Sequence, residues 1–154
     1  MTADQAAGVI LLYFVGMALG RFLSGVLAKR LHSWRIIALG EIVLGAACLL
    51  LIPGPAVLCS AGLFLVGLGN GPLFPNFNYL APESFGRAVS ESVISLQMAF
   101  AYVGIMLGPP LCGLLGQAMG MFIFPIYLLC AFLVMTLITI SAKKRLKKET
   151  APEV

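Results

Sequence analysis

Charge is what this sequence has least of. Only 10% of its 154 residues are Asp, Glu, Lys or Arg, and six of them are acidic. A soluble domain is about a quarter charged and under half apolar, whereas this chain is 60% hydrophobic with a mean hydropathy of +1.03. A soluble globular domain is therefore excluded. Histidine is nearly absent too. His32 is the single one, and Cys48, Cys59, Cys112 and Cys130 form no CxxC pair and no spacing with it that suits a metal. The cysteines read as small buried hydrophobes, and neither metal nor cofactor is expected. No nucleophile with its base, phosphate loop or titratable pair is in evidence, so an enzyme is not expected. Short alternating segments of the kind that build a membrane barrel are also missing.

Long apolar runs take their place. A helix needs roughly 20 apolar residues to cross a bilayer. Five stretches qualify: 6–28, 36–52, 56–80, 93–119 and 121–142. In lipid the backbone must satisfy its own hydrogen bonds, so these are expected to be helices. The expected fold is all-α, a polytopic bundle of five spans followed by a basic tail over 143–154. The start, MTADQAAG, has no basic residue ahead of its apolar run and reads as a span rather than a cleaved signal.

The basic residues orient these spans. Lys29, Arg30 and Arg35 fall between the first two, Arg87 between the third and fourth, and Lys143, Lys144, Arg145, Lys147 and Lys148 after the fifth. The opposite face receives none. The positive-inside rule then puts the C-terminus in the cytoplasm and the N-terminus outside a plasma membrane. The net charge of +4 reports topology, and nucleic acid is not expected as a partner. Membrane lipid is.

Three places are more than apolar. Gly16, Gly20 and Gly25 permit close approach of a neighbouring helix, ahead of a turn that carries Gly25, Leu27, Ala28, Lys29 and Arg30. In the third span, Gly71, Pro72 and Pro75 interrupt the helical ladder beside Asn70, Phe74, Asn76 and Asn78. Broken membrane helices line substrate cavities in transporters. Continuous helical spacing puts Asn70, Phe74 and Asn78 on one face and Asn76 on another. The fourth span carries Gln97, Ala101, Gly104 and Gly108 on one face, with Tyr102, Pro109, Pro110 and Gly113 nearby. Asn70, Asn78, Gln97 and, more weakly, Tyr102 are the substrate-cavity candidates. The same amides could instead bond helix to helix, and the glycines read as packing positions.

The turn at 25–30 resembles the loop signature of the major facilitator superfamily, Gly-x-Leu-Ala-Asp-Arg-x-Gly-Arg, in the weaker copy found in its second half. Gly25, Leu27, Ala28 and Arg30 match, while Lys29 stands in the aspartate slot and His32 in the glycine slot. The run Gly71-Pro72-Leu73-Phe74-Pro75-Asn76-Phe77-Asn78, the stretch from Gln97 to Gly104, and Pro109-Pro110-Leu111-Cys112-Gly113 are similar to helices ten and eleven of fucose-permease-like members. The resemblance implies that the five spans correspond to helices eight to twelve of a twelve-helix transporter. It further implies solute movement by alternating access, proton coupling, and a sugar or polyol as the small-molecule partner.

Arg21 and Glu41 are the only charges well inside spans. They lie about 12 and 9 Å from the first turn at 1.5 Å per residue. Consecutive spans are expected to be antiparallel neighbours, so the spacing predicts an Arg21–Glu41 ion pair, or a link through one polar group. The expected function is transport of a small polar solute, with the missing N-terminal transporter half as a further partner. The opposing reading is a non-transporting interaction or remnant subunit.

Overall fold

A computed structural model describes residues 3–52, 56–120 and 123–149. Among them are six α-helices: α1 (Ala3–Leu27), α2 (Ser33–Leu51), α3 (Ala56–Asn70), α4 (Leu73–Phe85), α5 (Arg87–Met119) and α6 (Ile123–Glu149). With α3 and α4 taken together, five helical segments are long and apolar enough to cross a membrane. The all-helical, five-span bundle is the expected architecture.

The element bounds differ from the hydropathy reading where polar residues join a helix without ending it. The second helix opens at Ser33, capped by the His32 side chain, which accepts from the Trp34 N–H at 3.4 Å. The fourth opens at Arg87, directly after Gly86, whose φ of 75° turns the chain. The last runs through Lys143, Lys144 and Arg145 to Glu149, so residues 143–149 continue α6. The third span is two helices, α3 and α4, separated at Gly71-Pro72.

Glycine decides how they pack. Between helices in lipid there is little hydrophobic drive, so close backbone approach matters most. Gly67 on α3 and Gly71 just after it face α1, where an added Cβ would strike the carbonyls of Tyr13 and Met17. Gly69 faces α2 instead: a Cβ there would stand 2.7 Å from the Gly40 carbonyl, and one on Gly40 would stand 2.8 Å from that of Gly69. Thus α3 lies between α1 and α2, against both of which it packs along its length. The other side of α2 meets α6, with Gly45 against the Phe132 ring. Two apolar clusters fill this bundle: Ile37, Leu73 and Leu80 beside Trp34, and Ala47, Leu51 and Val66 beside Leu63.

The long α5 packs on α4 and α6, and the close helix contacts expected of Gly104 and Gly113 are not seen among the described residues. A Cβ on Gly104 or Gly113 would meet nothing within 4 Å, and one on Gly108 only the Tyr127 hydroxyl. Gly25 is likewise open, unlike Gly16 and Gly20, which abut α3. Pro109 and Pro110 sit inside α5 without ending it. Of the cysteines, Cys48 is buried, Cys59 and Cys112 are half-buried and Cys130 is exposed, so the uniform burial expected of them does not hold.

The basic turns gather at one end of the bundle. His32 Nε2 lies 3.4 Å from Glu83 Oε2, joining the α1–α2 turn to the end of α4. Lys143 Nζ lies 5.9 Å from the centre of the Trp34 ring, bringing the end of α6 to the start of α2.

Candidate functional site

The break between α3 and α4 follows from two missing donors. Pro72 and Pro75 have no N–H, so neither can serve a carbonyl one turn back. The first of them ends α3. The second falls in the first turn of α4, where an N–H would have no intrahelical partner anyway. At the break, the Pro72 carbonyl is taken by Asn76, whose side chain donates to it at 2.6 Å and whose backbone N–H donates at 3.3 Å. The same Asn76 amide also donates to Ser24 Oγ of α1 at 2.7 Å. Asn76 is 1% exposed and Ser24 is buried with it. Both amide hydrogens are thus committed, and they brace the broken helix against α1.

Beside this brace is a cavity of about 510 Å³, lined from α1 by Arg21, Ser24, Gly25 and Ala28 and from α4 by Phe74, Asn76, Asn78 and Tyr79. It is within the size range of small-molecule sites, and its walls combine a cation, amides, a hydroxyl and two aromatic rings. Arg21 is exposed, and among the described residues its guanidinium reaches only the Met17 sulfur, at 3.5 Å. Asn78 has its amide oxygen buried without a partner. A groove of about 590 Å³ between α5 and α6 is larger, but Pro109, Cys112, Phe124 and Tyr127 give it apolar walls suited to hydrocarbon.

The expected site residues therefore divide. Asn78 lines the polar cavity. Asn70 does not: it is exposed on the far side of the break and donates to the Tyr13 hydroxyl at 3.3 Å. The face drawn through Asn70, Phe74 and Asn78 assumed one continuous helix, and the break at Gly71-Pro72 separates Asn70 from the other two. Phe74 and Asn78, one turn apart on α4, remain together, and Asn76, placed elsewhere by spacing, joins the same wall. Gln97 and Tyr102 belong to α5 and do not line the cavity, Tyr102 being 69% exposed. Of the loop motif, Gly25 and Ala28 line the cavity. The Ala28, Arg30 and Leu31 N–H groups close the turn by donating to the Ser24 and Leu27 carbonyls, and Lys29 is exposed within it.

The expected Arg21–Glu41 ion pair is not formed. Arg21 turns to Met17 and the cavity, whereas Glu41, 8% exposed on α2, faces Thr139 of α6 and leaves Oε1 without a partner. The physical reason is the interposed α3: it separates α1 from α2, so the two charges point into different surroundings.

The signal for Asn76 and Arg21 was present but read apart. A buried amide beside a proline break needs acceptors, and a neighbouring helix is where one is found. An intramembrane arginine without a carboxylate marks a polar surface.

No curated protein and no solved structure matches the chain. The family model of the Major Facilitator Superfamily matches residues 1–154. A five-span helical bundle with a broken third span, matched over its whole length by that family, is part of a transport fold, and the chain belongs to the major facilitator superfamily.

Proposed function

We propose that this chain contributes to moving a small polar solute, of sugar or polyol kind, across the plasma membrane by alternating access. The single observation that carries this reading is the polar cavity of about 510 Å³ beside the broken third span. Aromatic faces from Phe74 and Tyr79 suit a sugar ring, and Asn78 suits its hydroxyls. The resemblance of residues 71–78 and 97–113 to fucose-permease-like members supports the same solute class. Alternating access takes two bundles rocking about a central site, so the working transporter combines these five helices with an N-terminal half. Coupling to protons fits Glu41, the one carboxylate well inside a span. It has no basic partner among the described residues. The basic turns support a cytoplasmic C-terminus and an N-terminus on the outer side.

The test is uptake of radiolabelled neutral sugars, polyols and their acids by cells expressing the chain together with such a half. Uptake of at least one of them, reduced about ten-fold or more by Asn78→Ala, is the expected result. Uptake of none, with the protein correctly inserted, favours a non-transporting subunit and overturns the proposal.

A further inference from the structure

Arg21 combines three features. It belongs to a membrane-spanning helix, about 12 Å from the turn at Lys29. It lines the polar cavity, and among the described residues its guanidinium has no carboxylate partner and one hydrogen bond, to the weak Met17 sulfur acceptor. It is exposed. A guanidinium is charged at any working pH and carries five donors. An arginine facing hydrocarbon is expensive, so this wall meets water, a polar solute or an opposing acid.

The neighbouring groups choose among these. Asn76 is spent on Ser24 and Pro72. Asn78 also lines the cavity, with its amide oxygen buried and no donor meeting it among the described residues, and an amide carries two N–H donors. The wall therefore offers a fixed positive charge and amide donors, and no carboxylate lines it. That set complements an anion.

We infer that the solute held beside α4 is anionic, a polyhydroxylated acid bound through its carboxylate or phosphate by Arg21 and Asn78. The inference rests on the transport reading above and narrows its solute class. A lipid headgroup carries the same anionic chemistry, and the experiment separates the two sources.

The purified 154-residue chain in phosphatidylcholine nanodiscs is titrated calorimetrically with glucuronate and with glucose at fixed ionic strength. Glucuronate is expected to bind about ten-fold more tightly. That preference is expected to vanish in Arg21→Gln and return in part in Arg21→Lys. In the unmodified protein, glucuronate and not glucose protects Arg21 from phenylglyoxal, a readout that does not depend on the variants folding. Equal binding of the two sugars overturns the anion assignment and leaves transport of a neutral solute standing. Binding of neither probe overturns the anion assignment, and the transport reading is then decided by the uptake test with the N-terminal half. A preference that survives Arg21→Gln overturns the role of Arg21. Protection by added phosphatidylglycerol without glucuronate assigns the site to lipid and overturns the inference.

Discussion

The Asn76 side chain donates to Ser24 Oγ at 2.7 Å and to the Pro72 carbonyl at 2.6 Å, so one buried amide joins α4 to α1 and ties down the first turn of α4. The polar cavity is built around that joint, since Ser24 and Asn76 are both in its wall.

Replacing Asn76 by Leu should therefore cost more than lost packing. The buried Ser24 hydroxyl would lose its donor, at about 1–3 kcal/mol, while the Pro72 carbonyl would keep the backbone N–H of residue 76. Thermal unfolding of the detergent-solubilised protein should show a clearly lowered midpoint. An unchanged midpoint would mean that the joint is not holding the break together.

The glycines should separate into two classes. Gly69→Ala pushes a methyl group against the Gly40 carbonyl and should destabilise the bundle by about 1–3 kcal/mol. Gly113→Ala meets open space within a long helix and should be neutral or stabilising by up to about 1 kcal/mol. The same unfolding assay compares them directly.

Glu41 is nearly isosteric with Gln and has no arginine to lose. Glu41→Gln should leave the protein folded, judged by monodisperse elution in detergent. In the assembled transporter it should abolish accumulation driven by a pH gradient while sparing solute exchange at equilibrium. Full gradient-driven accumulation in the variant would remove Glu41 from proton coupling.

His32 and Glu83 are 57% and 60% exposed at the basic end of the bundle. An exposed pair of this kind contributes under about 1 kcal/mol and weakens with salt. A double-mutant cycle of His32→Ala and Glu83→Ala should give a coupling within that bound at low salt and none at high salt. A coupling that resists salt would point to a stronger tie between the first turn and α4.

Orientation is open to labelling. Single cysteines at Arg87 and at Met119, in a background without the four natural ones, should react with an impermeant maleimide from opposite sides, Arg87→Cys from the cytoplasm. The reverse pattern would invert the topology drawn from the basic turns.

Much of this was legible in one dimension. Hydropathy marks the spans because a helix in lipid satisfies its backbone internally, whatever surrounds it. The Gly71-Pro72 break is equally local, since a missing N–H is a property of the residue itself. Boundaries such as Arg87 and the extension of α6 past Lys143 were less legible, because polar residues at a membrane surface can continue a helix at no cost in burial.

The neighbours of each helix were decided only in three dimensions. Gly67 on one side of α3 with Gly71 at its end, and Gly69 on another side, let it approach α1 and α2 together. No spacing within α1 or α2 reveals that a third helix separates them. From this one placement follow the unpaired Arg21, Glu41 turned toward Thr139, and Asn76 drawn into the joint with Ser24. The sequence alone determined an apolar five-span chain with its charge at one end. The tertiary structure decided which of its few polar groups meet, because in lipid that depends on how closely backbones approach.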